Sequence, residues 1–401
     1  MTNIRQIMLS AALAMAASPI LAQAPAQNAA STLRPARGAA IDTVGEFANF
    51  AQWQGVSEFI DLLVARDGFS RQELEALLRK AHYVDSAVQL MKPAPPGRPK
   101  NWRAYRARFV EPVRINAGVA FWNQNAEALA RAEARFGVPA EIIVGIIGVE
   151  TVYGRNTGNF RVMDAVTTLA FAYPDTPNRA ARMSYFRGEL ENTLLLARES
   201  GIDPFSLSGS YAGAIGLPQF MPGSIRQFAI DFDGDGKIDL RNSPVDAIGS
   251  IANFLVQHGW KAGEPIVFPA SVDNLVRPPV VPLAAGAAVD ALVADSQIGE
   301  MALATPTQAT ANVSWQSFIN QGLEARYSLD ELRGGGVVPG AAPPPELRFG
   351  LVDLQNGNAP TEYWLGTNNF FAITQYNRSF FYAMSVVDLG RAVRVARGRL
   401  Q

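Results

Sequence analysis

From residue 142 to 149 the chain is apolar on every side of a helix: Ile142, Ile143, Val144, Ile146, Ile147 and Val149 leave it no polar face. Such a helix belongs inside a core, because any exposed side would place large aliphatic groups in water. The rest of the fold has to be arranged around it. Gly145 and Gly148 cost helix stability but let a neighbouring backbone come close. Gly137-Val138-Pro139 ends the preceding helix and starts this one, with Pro139 suited to a first turn.

Glu150 follows at the end of this apolar run. A carboxyl group buried there raises its pKa rather than remaining a bare charge. A carboxylic acid that keeps its proton near neutral pH is a general acid. The alternative is a helix-end glutamate that turns to solvent. Thr151, Tyr153, Arg155, Asn156 and Asn159 form a polar segment after the helix. A rigid element that delivers an acid, followed by a loop that lines a cleft, is a common way to build a site. Tyr153 fits an ordinary core position equally well.

Helical spacing recurs over residues 47–65, 116–136, 163–171, 179–199 and 246–258. Phe69, Ser70, Glu73 and Leu74 spell a capping box with a hydrophobic staple, opening a helix that runs to about Tyr83. Up to Trp260 the chain reads as all-α. Residues 265–269 then read as a strand between prolines, and residues 347–354 and 361–365 as a hairpin turning at Asn356-Gly357-Asn358. A closing helix is predicted over 380–400. The expected division is a signal peptide at 1–24, a flexible leader at 25–44, and a helical region with the catalytic core at 45–261. A small β region follows at 262–370, with an insertion or linker at 278–306, and then a closing segment and helix at 371–401. The signal rests on Arg5, the short apolar stretch 7–17, and small residues at Ala22 and Ala24, with cleavage placed after Ala24.

Composition narrows the chemistry. The 401-residue chain has no cysteine and two histidines, His82 and His258. Disulfides, a thiolate nucleophile and a lipid-carrying cysteine are therefore excluded, and a zinc site of His and Cys is disfavoured. A Ser-His-Asp triad would need one of those two histidines. A net charge of −1 carries no basic footprint for nucleic acid.

Three further stretches carry chemistry. Residues 209–222 place Gly209, Gly213 and Gly216 among small residues and prolines, with Ser210 and Gln219 suited to hold amides and hydroxyls; a tight structural turn is the plainer alternative. Residues 231–239 match the first half of an EF-hand loop. Asp231, Asp233 and Asp235 stand at positions one, three and five, Gly236 at six, the Lys237 carbonyl at seven, and Ile238 at eight as the apolar anchor. Position twelve is Asn242 rather than glutamate, so the last ligand is open, with Asp246 available if the loop is longer than usual. A structural calcium ion is expected, with no organic cofactor. Residues 373–379 with Tyr382 combine aromatic and amide groups, Tyr376 and Asn377 among them, which suits stacking on sugars and bonding to N-acetyl groups. The alternative there is the polar start of the closing helix.

Together these stretches resemble the lytic murein transglycosylase B family over residues 45–398. The resemblance rests on Gly148-Val149-Glu150-Thr151, on Ser210-Tyr211-Ala212-Gly213-Ala214, on the EF-hand-like loop followed by 246–250, and on Tyr376-Asn377-Arg378-Ser379. It implies a mainly α fold: a lysozyme-like core flanked by a helical region, with a small β region and an EF-hand-like calcium loop at 231–246. It implies Glu150 as the acid/base, Tyr105, Ser210, Gln219, Tyr376, Asn377 and Tyr382 as cleft residues, and Asp231, Asp233, Asp235 and Lys237 as calcium ligands. The activity it implies is cleavage of the β-1,4 bond between N-acetylmuramic acid and N-acetylglucosamine, leaving 1,6-anhydromuramoyl ends. The expected partners are peptidoglycan glycan strands and cell-wall enzymes. The expected state is a periplasmic monomer, soluble after signal cleavage, with no transmembrane anchor. A hydrolytic muramidase is the first rival and needs a second carboxylate, for which Asp164 and Glu189 are candidates. The second rival, a non-catalytic peptidoglycan-binding scaffold, has no need of Glu150.

Overall fold

The computed structural model describes residue 50 and residues 54–93, 99–273 and 314–399. The predicted signal, the leader and the 278–306 stretch lie outside them. The chain divides into two compact units, one of residues up to Gly263 together with Ala372 onward, the other Glu264–Phe371.

The first unit begins with helices α1 (Gln54–Asp67), α2 (Arg71–Lys80), α3 (Asp85–Leu90), α4 (Trp102–Arg106), α5 (Pro112–Gln124), α6 (Ala126–Phe136) and α7 (Ala140–Thr151). After a two-residue strand β1 (Phe160–Arg161) come α8 (Val162–Phe171) and α9 (Arg179–Ser200). Strand β2 (Ser208–Gly209), which pairs antiparallel with β1, then leads to α10 (Pro222–Phe228) and α11 (Pro244–Gln257). The pattern over 116–136, which predicts one helix, is two. Asn125 leaves helical geometry at φ −118°, and both its backbone N–H and its side-chain amide donate to the carbonyl of Phe121. An asparagine that satisfies the last turn from its own side chain ends a helix instead of extending it. Ser70 caps α2 by accepting from the Glu73 N–H at 3.4 Å, while the ring of Phe69 is covered by the Arg198 guanidinium at 4.2 Å.

The second unit holds β3 (Val267–Val272), α12 (Leu329–Gly334), β4 (Val337–Pro339), β5 (Gly350–Asn356) and β6 (Ala359–Gly366). These strands form one antiparallel sheet in the order β4-β3-β6-β5. Phe318, Leu332, Phe349, Leu351 and Leu365 form its apolar cluster. Strand β3 runs past Pro269, where the sequence pattern places its end. Pairing with β4 begins only at Ala270, so Pro269 has a ladder neighbour on one side alone and its missing N–H breaks nothing on the other. Helix α13 (Asn368–Asn377) crosses the division, and α14 (Phe380–Gly398) belongs to the first unit.

Within the first unit α7 is enclosed on all sides, with every residue from Ile142 to Val149 buried. It packs antiparallel on α14, and the close approach needs a glycine from each side. A Cβ at Gly145 would overlap the carbonyl of Val386, and one at Gly390 would overlap the carbonyl of Glu141. Gly148 answers a different need, since a Cβ there would overlap the hydroxyl of Tyr153. Replacing Gly145 with alanine should force the two helices apart and destabilise the fold by about 2–3 kcal/mol. Urea unfolding of Gly145→Ala checks this, and an unchanged midpoint would show that the interface yields without cost.

Candidate active site

The antiparallel packing of α7 on α14 sets the end of one helix beside the start of the other. Glu150 stands in the last turn of α7 and Tyr382 in the first turn of α14, and the Tyr382 hydroxyl donates to Glu150 Oε1 at 2.5 Å. Burial pushes the Glu150 carboxyl from its ordinary 4.5 up to about 7, and the bond from Tyr382, which favours the charged form, pulls it partly back. No charged side chain contributes to the shift. Burial raises the phenol of Tyr382 far above its usual range, so it stays protonated and can only donate to a Glu150 carboxylate.

Aromatic rings surround this pair. Tyr376 stacks on Tyr382 at 6.2 Å between centroids with an 18° tilt, and is backed by Phe220 and Phe254. Tyr105 lies in a cluster with Trp102, Phe109 and Phe381, and the charge of Glu150 acts on its phenol and on that of Tyr376. Residues from α4, α7, α13 and α14 thus meet around one carboxyl. Without the hydroxyl of Tyr382, Glu150 loses the side-chain bond that holds it. Tyr382→Phe should lower kcat about tenfold, because an unheld acid is less well aimed, and should move the alkaline limb of the pH–rate profile to higher pH. Rates measured from pH 5 to 9 check both.

Ser210 and Gln219 sit in a loop whose backbone is largely closed on itself. The Ser210 Oγ accepts from the N–H groups of Ala212 (3.3 Å) and Ala214 (3.0 Å), which leaves its own proton to give. The Gln219 amide nitrogen donates to the carbonyls of Gly216 (2.9 Å) and Thr157 (3.3 Å), which leaves Oε1 to accept. Asn377 closes α13 and is half-buried. Asp164 and Glu189, the candidates for a second carboxylate, are both committed elsewhere. Asp164 takes the Arg161 guanidinium through both oxygens and the N–H of His82. Glu189 is buried and caps α10 by accepting from the Gly223 N–H at 2.9 Å.

A family profile described as Transglycosylase SLT domain matches residues 50–287 and 299–391. Over 361 residues the chain is 39% identical to the membrane-bound lytic murein transglycosylase B of Escherichia coli strain K12, covering 88% of this chain and 85% of the relative. This chain belongs to the lytic murein transglycosylase B family. Among solved structures, the catenated lytic transglycosylase SltB1 of Pseudomonas aeruginosa superposes with a TM-score of 0.71 at 41% identity, covering 87% of this chain and 100% of that one. The Escherichia coli lytic transglycosylase Slt35 in complex with calcium gives 0.68 at 38% identity, covering 89% and 98%.

As expected of the lytic murein transglycosylase B family, the fold is mainly α, with a lysozyme-like helical core and a small β region. Its acidic loop is only partly as the sequence suggests. Asp231, Asp233 and Asp246 bring carboxylate oxygens within 4.8 Å of one another. Asp235 stands outside that group and accepts from the Lys237 N–H at 2.8 Å, and Asn242 donates its side chain to Asp239. Buried Asp246 closes the loop by accepting from Phe232 N–H and Asp239 N–H, each at 2.8 Å. Ile238, the expected apolar anchor, is 48% exposed, whereas Phe232 and Leu240 are buried. Position eight of an EF-hand is buried against a second hand, and among the described residues no strand forms at Ile238.

Thr151, part of the polar segment expected to line the cleft, is fully buried. Tyr153 is a packing residue: its ring lies on Phe121, and Cβ atoms at either Gly118 or Gly148 would overlap its hydroxyl. Trp102, Phe254 and Phe381 complete the aromatic surround from outside the quoted motifs, and Phe220 does so from within the 209–222 stretch. In sequence Trp102 and Phe381 stand close to Tyr105 and Tyr382, whereas no local pattern points to Phe254.

Proposed function

We propose that this chain is a peptidoglycan lytic transglycosylase in which Glu150 alone serves as acid and then base. The supporting observation is a carboxyl raised by burial to about 7, held by one phenol, with no charged side chain acting on it. A hydrolytic muramidase uses two carboxyl groups flanking the scissile bond; Asp164 and Glu189 are each spent on structural bonds. Glu150 gives its proton to the oxygen that links N-acetylmuramic acid to N-acetylglucosamine. The N-acetyl group of the substrate stabilises the developing oxocarbenium centre. Glu150, now charged, takes the proton from the muramoyl C6 hydroxyl, which attacks C1 and closes a 1,6-anhydro ring. The C1–O4 bond breaks, the C1–O6 bond forms, and no water is consumed.

Tyr382 steadies Glu150 while it is charged, when its hydrogen bond is strongest. Ser210 as donor, Gln219 as acceptor, and Asn377 hold N-acetyl and hydroxyl groups; Tyr105 and Tyr376 present rings to the sugar faces. A calcium ion fits the acidic loop, whose oxygen-only donor set suits a hard cation. Asp231, Asp233 and Asp246 would hold it, with Asp235 and the Lys237 carbonyl as the remaining protein ligands expected at loop positions five and seven. Bound there, calcium would neutralise the clustered carboxylates and stiffen the loop. Among the described residues no helix is long and apolar enough to cross a membrane. Residues 1–24 serve as an export signal, which places the enzyme in the periplasm with its substrate, as a monomer acting on glycan strands.

Digesting purified sacculi and weighing the muropeptides tests this directly. Anhydro ends, lighter by one water than reducing ends, are expected throughout. Reducing ends would make the enzyme a muramidase, and undigested sacculi would make the protein a binder.

A further inference from the structure

We propose that Thr151 is a positioning residue for this reaction, its hydroxyl joining the helix that carries Glu150 to the loop that carries Ser210 and Gln219. Thr151 is fully buried, so it meets no substrate. Its Oγ1 lies 3.2 Å from the carbonyl of Ile147 and 3.2 Å from that of Leu217, and it accepts the Gly154 N–H at 3.0 Å. The hydroxyl has one proton, which these two carbonyls share, and the Ile147 branch of that bond is the ordinary one that a threonine makes to its own helix. The bond to Leu217 crosses to a segment 66 residues away. Leu217 lies between Ser210 and Gln219, and its own N–H is taken by the Leu240 carbonyl at 2.8 Å. One hydroxyl therefore ties the C-terminal turn of α7 to the middle of the sugar-holding loop.

The backbone shows why a joint is needed here. Immediately after Glu150 and Thr151, Val152 and Tyr153 both adopt left-handed geometry, at φ 52° and 58°. For a β-branched valine this is a strained conformation, kept only where its surroundings over-determine it. The surroundings are on both sides. Inside, the Tyr153 ring is wedged between Gly118 and Gly148. At the loop, Thr151 accepts the Gly154 N–H through Oγ1 and the Asn156 N–H through its carbonyl at 2.9 Å. A second tie, from the Gln219 amide to the Thr157 carbonyl, runs parallel to the first. The height of the acid relative to the donors and acceptors around the sugar is set by these few bonds.

This inference rests on the transglycosylase reading, but it can be tested apart from it. Thr151→Val keeps the shape and removes the hydroxyl; Thr151→Ser keeps the hydroxyl. The valine variant should lose kcat by about 10- to 100-fold, the cost of misplacing an acid by a fraction of an ångström to an ångström. The serine variant should remain within about threefold of the parent, because its bonds are intact. Amide exchange at Gly154 should accelerate in the valine variant and not in the serine variant, which needs no substrate to observe. Wild-type exchange and kcat per folded molecule in Thr151→Val, with only a lowered Tm, would reduce Thr151 to a packing residue and overturn the proposal. Equal loss of kcat in the serine and valine variants would overturn it too. Wild-type protein that leaves sacculi intact would instead defeat the transglycosylase reading, and the exchange comparison would still decide the role of the hydroxyl.

Discussion

Glu150→Gln should abolish cleavage, lowering kcat by about 10³-fold or more, because a carboxamide of the same shape can neither give nor recover the proton. Sugar binding should survive, since the rings and amides around the site are untouched. The same substitution should change the pH dependence of folding. In the folded protein the carboxyl titrates near 7, against an ordinary 4.5 once unfolded. Between those values the folded state holds a proton that the unfolded state has released, so stability falls as pH rises through that window. The full loss is about 3 kcal/mol, reached above pH 7 and absent below 4.5. The carboxamide does not titrate in this range. The variant should therefore match the parent near pH 4 and exceed it near pH 8, so that an inactive enzyme is the more stable one. Thermal unfolding of both proteins across this range, alongside muropeptide release, gives the two measurements. Residual cleavage above about one part in a hundred would remove Glu150 from its role. Parallel stability curves would show that the carboxyl is not held neutral by its surroundings. In the parent, activity should fall as pH rises through about 7, because the acid form is the one that starts the reaction.

The environment of Glu150 is largely legible in sequence because it depends on a local pattern: the apolar run Ile142–Val149 leaves a following carboxyl little water. The hydroxyl that meets it is not. Tyr382 lies 232 residues further on, and its arrival depends on the register of two helices set by Gly145 against Val386 and Gly390 against Glu141. Periodicity marks both helices as apolar but contains nothing about which turn faces which. Thr151 misleads for a related reason. A polar residue after a buried helix reads as surface, yet here its hydroxyl has three backbone partners and needs no solvent. Ile238 misleads in the opposite sense, because the EF-hand pattern assumes a paired loop. The break at Asn125 is weak in sequence, since asparagine in a helix is only mildly unfavourable until its side chain finds the preceding turn.

The acidic loop yields the second large effect. Asp246 is 1% exposed and accepts three backbone N–H groups: those of Phe232 and Asp239 at 2.8 Å each and that of Asp233 at 3.3 Å. It therefore ties both arms of the loop to the start of α11, whether or not an ion is bound. Asp246→Ala leaves these donors unpaired beside the buried ring of Phe232, which Arg131 covers at 4.3 Å and which a Cβ at Gly249 would overlap. Losing several charge-assisted bonds from one buried acceptor should cost about 3–5 kcal/mol. Asp246→Asn should cost less than alanine, because one oxygen still accepts, yet more than a surface change, because its NH₂ group faces an N–H donor. Calcium addition tests whether the residue also serves the proposed ion. An ion at one hundred times its Kd would add about 2.7 kcal/mol to the stability of the parent, so Tm should rise with calcium and fall back with a chelator. In both variants that rise should shrink, since one of three converging carboxylates is lost. A calcium-induced rise in Asp246→Asn as large as in the parent would mean that Asp246 holds the backbone and not the ion.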